Sequence, residues 1–189
     1  MMSEPTTPGD LLKVQNHYLA FTVTNTLLRA ANLHGLLRVP DSCHIHEIIN
    51  EPSFKDAVLT LQNSCLLLSE TEEDEMSSLV STLDITDSRL CSNFKQVSDR
   101  LMSDQIRFGR IASLFFFTYV LAKRLHLEGR RREVTSVVEW LAAVLDEKIS
   151  SWLMEHHGGK WVSSGVNLSQ GSHRQQEAAT EYFGLFPIT

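Results

Sequence analysis

Apolar residues recur at helical spacing through nearly the whole chain, and no stretch shows the two-residue alternation of a half-buried β-strand. The first apolar stripe predicts a helix from Leu11 to Leu28. Pro8-Gly9-Asp10 precedes it, which makes Asp10 the expected N-cap. We expect His34-Gly35 to end this helix. The pattern therefore favours an all-α fold from its first segment.

The remaining stripes predict further helices separated by short turns. Between 36 and 56 the chain contains Pro40 and Pro52 and is expected to be loop with short helical turns. The predicted helices span about Ala57 to Ser69, Met76 to Leu83, Ser88 to Met102, 104–124, Val134 to Ile149, Trp152 to His157, and Gln175 to Phe183. Gly158-Gly159 is the expected stop of the short helix that begins near Trp152.

One segment is apolar on all sides. From Ile111 to Ala122 almost nothing is polar, so this helix needs burial around its whole circumference. The run is shorter than the roughly 20 residues that cross a bilayer, which favours a core helix over a membrane span. Within it, Phe115, Phe116 and Phe117 are expected to be core residues. The prediction is a single all-α domain over 1–189, a helical bundle with a buried central hydrophobic helix.

Composition narrows the class of protein. Hydrophobic residues are 42% and charged residues 21% of 189, which is typical of a globular protein and argues against disorder. The net charge of -6 argues against broad capture of nucleic acid or anionic membrane. Three cysteines and a polar N-terminus without a signal-peptide core favour a reducing, cytoplasmic setting.

Signals for an enzyme or a cofactor are poor. "CHIHE" offers Cys43, His44, His46 and Glu47 as metal ligands, but no second ligand pair follows at finger-like spacing. The chain has no phosphate loop, nucleophile elbow or paired catalytic carboxylates. We therefore predict neither a cofactor nor enzymatic activity, and keep a metal-binding helical enzyme as the weakest alternative.

Several motifs follow one another in order along the chain. "FGRIASLFFFTYVL", with the tetrad Arg107 to Arg110, resembles the first homology motif of the Bcl-2 family of apoptosis regulators, usually Asn-Trp-Gly-Arg before an apolar helix. "FKQVSDRLMSDQIRFGR" is similar to the fourth helix and its loop, and "LDIT" to the end of the third. "SWLMEHHGGKW" resembles the second homology motif. The resemblance covers about 57–161, and 1–9 and 162–189 are expected to be flexible.

The resemblance implies a Bcl-2-like bundle whose hydrophobic surface groove binds the BH3 helix of pro-apoptotic family members. Arg110 stands where the family arginine pairs with the ligand's aspartate, and Gly109 would let the ligand backbone approach closely. Arg107 adds a second positive charge. The walls implied by the resemblance are Leu61, Cys65, Leu68 and Leu79 on one side, and Val97, Leu101, Ala112 and Phe117 on the other.

The departures from the family pattern bear on whether the protein inhibits or promotes apoptosis. At Leu61 to Leu68 the third motif is degenerate, since Cys65 and Leu66 replace its small and acidic residues. A degenerate third motif with a retained Gly109-Arg110 favours an apoptosis inhibitor, and the absence of a visible anchor is compatible with a viral or divergent homologue. A pro-apoptotic, pore-forming member is the alternative. Association with mitochondria or other membranes and a homodimer stay open.

Two simpler interpretations stand beside these. Arg110 could pair within its own domain, with Asp104 or Asp99, rather than await a ligand. The acidic run Glu70 to Glu75 is expected to be a solvated face.

Overall fold

The computed structural model describes residues 7–38 and 46–162, which form helices joined by short turns with no strand in these two ranges. In chain order the elements are α1 (Pro8–Ala30), α2 (His46–Ile49), α3 (Pro52–Thr71), α4 (Glu73–Thr82), α5 (Asp87–Leu101), α6 (Phe108–Leu127), α7 (Arg131–Val144), a π-helical turn (Leu145–Ile149) and α8 (Ser150–His157). The all-α prediction is confirmed, and the helix predicted at Gln175 to Phe183 lies outside the described residues.

The apolar helix α6 is the centre of the bundle. It packs against α1, α3, α4, α5 and α7, and Phe115, Phe116 and Phe117 are completely buried. Two of its hydroxyl groups bond within the helix: Thr118 donates to the Leu114 carbonyl over 2.8 Å, and Ser113 donates to the Gly109 carbonyl over 3.0 Å. The prediction of a buried central helix is therefore confirmed. Among the described helices none has the length and apolar character needed to cross a membrane.

Both ends of α1 differ from the prediction. Thr7, not Asp10, is the N-cap: its hydroxyl accepts from the Asp10 amide over 3.2 Å and donates to the Asp10 carboxylate over 2.7 Å. Pro8 takes the first helical position, where a missing N–H costs little. The helix ends at Ala30, because Asn32 adopts a left-handed φ of 62° and the following amide bonds to the Leu28 carbonyl. The predicted stop at His34-Gly35 was thus placed too late.

The π-helical turn between α7 and α8 has a cause in the apolar spacing. From Leu141 the buried residues follow at steps of four, through Leu145 and Ile149 to Leu153. Each step of four in an α-helix drifts by about 40°, so three in a row would turn the stripe away from the core. The wider π turn absorbs this drift. Consequently α7 and α8 form one continuous helical stretch with a single buried face.

A buried polar junction ties the two ends of the described chain together. Asn16 on α1 is completely buried, and its amide donates to the Asp146 carboxylate over 2.7 Å and to the Ser150 hydroxyl over 2.9 Å. The Asn16 carbonyl accepts from the indole of Trp161 over 3.0 Å. Burial raises the pKa of Asp146, against the smaller opposite effect of the bond from Asn16.

The turn after α8 brings Trp161 to this junction. Gly158 and Gly159 both adopt left-handed φ values, 59° and 75°, which stop α8 as predicted and return the chain towards α1. A side chain at Gly159 would also meet the Met154 sulfur at 2.7 Å. Because the exposed Met154 side chain can move aside, the left-handed φ is the stronger reason for glycine at this position.

Candidate furrow on the central helix

One side of α6 contacts α5. The ring of Phe117 stacks on that of Phe94 with centroids 5.7 Å apart, and the Arg110 guanidinium donates to the Leu101 carbonyl over 3.3 Å. Arg110 and Phe117 are seven residues apart, so they point within about 20° of each other on the helix. These contacts define the α5 side of α6.

The opposite side of α6 contacts α3 and α4. The Cys65 thiol on α3 donates to the Ala112 carbonyl over 3.5 Å, and the Tyr119 hydroxyl donates to the Glu73 carboxylate on α4 over 3.3 Å. Ala112 and Tyr119 point about 160° and 180° away from Arg110 around the helix. In the described part of the chain, neither α3 nor α4 packs extensively on α5. We call the strip of α6 that lies between the α3–α4 wall and the α5 wall the furrow.

The base of this furrow is a stripe of α6 that the sequence did not single out. Four residues lie about 60–120° from Arg110 towards α4, in the sector between the two walls. They are Gly109, Ser113, Phe116 and Val120, called the floor stripe below. Ala112, predicted to share a wall with Val97, instead lies on the side of α3. Counting i, i+4, i+7 and i+11 from Gly109 would have identified the stripe once the rotation of α6 was known.

Most side chains of the furrow are buried in the free chain. Seven of the eleven side chains predicted to line a groove are less than a tenth exposed, and so are Ser113, Phe116 and Val120. Among the predicted residues, Leu68 and Leu79 are half-buried, and only Gly109 and Arg107 are exposed. The seven are Leu61, Cys65, Val97, Leu101, Arg110, Ala112 and Phe117. The resemblance led us to expect an open apolar groove. In the structure, most of the predicted groove residues are buried.

Arg110 sits at the end of the furrow with a partner from its own chain. Its side chain is 10% exposed and donates to the Asp104 carboxylate over 2.9 Å, whereas Asp104 itself is 68% exposed. The intradomain pair with Asp104 is thus formed, while Asp99 pairs with Lys148 over 2.9 Å instead. Because Asp104 is largely solvated, its attraction for the guanidinium is modest. An incoming carboxylate could take its place without leaving Arg110 unpaired.

Arg107 and Gly109 flank this arginine on the surface. The Arg107 guanidinium is exposed and donates to the Gln105 side-chain oxygen over 2.9 Å. Gly109 is the second residue of α6, has no left-handed φ, and a Cβ built on it would meet nothing within 4 Å. Glycine costs a helix about 0.5–1 kcal/mol relative to alanine. No contact in the described chain accounts for that cost.

The described part of the chain does not assemble the other candidate chemistry. Burial raises the pKa of the Cys65 thiol well above its ordinary value, so the group is inert as a nucleophile at neutral pH. Cys43 and His44 lie outside the described residues, as do the side chains of His46 and Glu47. In the ranges that the structure describes, no three His, Cys, Asp or Glu side chains are grouped to hold a metal.

The acidic run is only partly a solvated face. Glu72 is 8% exposed, and burial, followed by repulsion from Glu75, raises its pKa. Glu73 forms an ion pair with Lys123 on α6. The prediction was therefore wrong for these two residues, because the sequence alone could not show that α4 lies against the charged end of α6.

Comparisons with known proteins agree on one family. The model of the Bcl-2 family, apoptosis regulator proteins, matches residues 61–159. Apoptosis regulator R11 of Xenopus laevis is 29% identical over 128 residues, which cover 62% of this chain and 60% of that protein. Bcl-2-like protein 1 of Homo sapiens is 28% identical over 109 residues, covering 57% and 47%. The chain thus spans about half to three fifths of the length of these relatives.

Solved structures share the fold. Trichoplax adhaerens trBcl-2L2, in a crystal structure bound to trBak BH3, has a TM-score of 0.65 at 24% identity over 78% of this chain and 95% of that one. Chicken BOK has a TM-score of 0.62 at 14% identity over 80% and 94%.

The described residues form an all-helical bundle built on a buried central helix, with Arg110 in the first turn of that helix. The family model covers just over half of the chain. The chain belongs to the Bcl-2 family of apoptosis regulators.

Proposed function

We propose that the chain is an apoptosis inhibitor that binds BH3 helices of pro-apoptotic Bcl-2 family proteins in the furrow on α6. An amphipathic helix would place its apolar residues over the floor stripe and its aspartate on Arg110, as in other helix-in-groove complexes. In such a complex the forked guanidinium fixes the register of the ligand, while the apolar residues supply most of the affinity. The protein would act in the cytoplasm and at mitochondria, where it would keep its partners from permeabilising the membrane.

The observation that carries this proposal is the pair Gly109-Arg110. Gly109 is exposed at the second position of α6, although neither its φ nor any neighbour among the described residues requires a glycine there. A ligand backbone that passes over Gly109 to reach Arg110 would account for it. Further support comes from trBcl-2L2, which has a similar fold and is bound to trBak BH3.

The function is tested by calorimetric titration of the full chain with a panel of BH3 peptides, followed by a liposome-leakage assay. We expect at least one peptide to bind with a Kd between nanomolar and low micromolar. We also expect the chain to reduce leakage caused by a pore-forming family member. Leakage caused by the chain itself would favour the pore-forming alternative, and failure of every peptide to bind would contradict the proposal.

Replacing Gly109 by alanine should separate binding from stability. Alanine is the better helix former, so Gly109→Ala should raise the free energy of unfolding by about 0.4–1 kcal/mol. The added methyl group should nevertheless weaken BH3-peptide binding about tenfold or more, because it stands where the ligand backbone passes. Both quantities can be measured on one preparation, by urea denaturation and calorimetry.

Gly9 provides a matched control. It is the second residue of α1, is exposed, and has no left-handed φ, as Gly109 is for α6. Gly9→Ala should give a similar gain in stability with unchanged peptide affinity. If both variants bind peptides as the wild type does, Gly109 does not lie under the ligand.

A further inference from the structure

Three of the four residues of the floor stripe, Ser113, Phe116 and Val120, are buried in the free chain, so one wall of the furrow must move before a helix can reach them. The α5 wall is firmly attached: Leu90, Phe94, Val97 and Leu101 are buried, and the ring of Phe94 also lies 5.9 Å from that of Trp140. By contrast, α4 buries only Met76 and Val80. Moving α4 exposes the smaller apolar surface, which makes it the wall that opens.

Besides the buried Met76 and Val80, a set of polar contacts at its two ends holds α4 on α6. At its first residue, Glu73 accepts from the Lys123 ammonium and from the Tyr119 hydroxyl, the latter over 3.3 Å. At its last turn, the Arg124 guanidinium donates to the Val80 carbonyl and, over 3.4 Å, to the Leu83 carbonyl. Three neighbouring side chains of α6 therefore hold both ends of this short helix.

These contacts are suited to reversible release. Lys123 is 32% and Glu73 25% exposed, and ion pairs with such access to water are modest in strength. Burial, then the Glu73 carboxylate, raises the pKa of Tyr119, so its hydroxyl stays a donor at neutral pH. When α4 leaves, Lys123 and Glu73 can both regain water, so separation leaves no buried charge behind.

We propose that the contacts of Glu73 with Lys123 and Tyr119, and of Arg124 with the end of α4, form a latch that holds α4 over the floor stripe. The latch must open before a BH3 helix binds, and this step rests on the function proposed above. Lys123 and Arg124 are then positioning residues, which act on the ligand through α4. Because only the open state binds, the apparent Kd is the intrinsic Kd divided by the open fraction. Weakening the latch should therefore strengthen binding.

The test uses the full chain, the trBak BH3 peptide and the variants Glu73→Gln and Lys123→Gln. Each variant should lower the apparent Kd about three- to tenfold, through a larger open fraction. In the free chain, the amides of Met76 to Val80 should exchange hydrogen faster by a similar factor. The charge reversal Glu73→Lys with Lys123→Glu should return both measurements towards those of the wild type.

Two comparisons separate the latch from a general effect of charge. Asp74→Asn removes the same charge as Glu73→Gln from the next, exposed residue, and should leave affinity and exchange within about twofold of the wild type. Glu73→Gln and Lys123→Gln change the net charge in opposite directions, so a common gain in affinity cannot come from long-range attraction.

The outcomes that overturn the latch are distinct from those that overturn the function. Unchanged amide exchange in Glu73→Gln would overturn the latch whether or not the peptide binds. Weaker binding in both single variants would show that α4 supports the ligand rather than blocks it, and would also overturn the latch. Absence of peptide binding by the wild-type chain, across the whole panel, contradicts the proposed function instead.

Discussion

Arg110→Glu is expected to raise the Kd for BH3 peptides by about a hundredfold or more. The wild-type guanidinium can exchange the solvated Asp104 carboxylate for that of a ligand, whereas a glutamate beside Asp104 would repel it. Losing one partner of a desolvated charge pair commonly costs 2–5 kcal/mol or more, and about 2.7 kcal/mol corresponds to a hundredfold change. Isothermal calorimetry with the trBak BH3 peptide measures the effect. Unchanged affinity would remove Arg110 from the proposed interface.

Since Arg110 is buried, its reversal could also disturb the fold, and two milder variants guard against this. Arg110→Lys keeps the charge but loses the fork, so binding should weaken by about tenfold while circular dichroism stays unchanged. Asp104→Asn removes the competing carboxylate and should keep or improve affinity. If Asp104→Asn weakened binding as much as Arg110→Lys does, the ion pair would support the local structure of the site, and a direct contact of Arg110 with the ligand would not be needed.

Asn16→Ala is expected to lower the free energy of unfolding by about 2–4 kcal/mol. The substitution removes the partner of three groups at once: the carboxylate of Asp146, the hydroxyl of Ser150 and the indole N–H of Trp161. Each of these three groups would lose a hydrogen bond while it stays wholly or partly buried, which is the cause of the lower stability. Urea denaturation followed by circular dichroism gives the difference.

Asn63 is the matched comparison for this second prediction. It is also a helical asparagine, on α3, but its side chain is exposed. Asn63→Ala should change stability by no more than about 0.5 kcal/mol. A loss below about 1 kcal/mol for Asn16→Ala would mean that water replaces the amide at the junction.

Much of the fold is readable from the sequence because apolar periodicity reports burial directly. The uninterrupted run from Ile111 to Ala122 has only one stable placement, at the centre of the bundle. The end of α8 was equally predictable, since Gly158-Gly159 supplies the left-handed residues of a helix stop. The start of α1 was not, because both Thr7 and Asp10 have the side chain of an N-cap, and the preference depends on Pro8 in the first turn.

The site was less predictable because it depends on how helices are rotated and how closely they pack. The sequence marks Arg110 as an unusual charge beside an apolar run, but its bond to Asp104 depends on the path of the turn after α5. Ser113 and Val120 were not predicted as site residues because the sequence alone does not show which side of α6 faces α4. The structure shows it through the contacts of Tyr119 and Lys123 with Glu73. Whether the furrow is open or closed depends on how strongly each wall is held on α6, and no local sequence pattern reports this.

The π-helical turn has a consequence for how this gene can change in length. Loops such as that after α1 can gain or lose residues without altering the direction of the helices they join. A one-residue deletion within Leu145–Ile149 would also be accommodated, because the five residues of the wide turn rotate the chain by about as much as four residues of an α-helix. The later side chains would then keep nearly their directions and Trp161 would stay beside Asn16, so this helical stretch tolerates the loss of one residue at the turn.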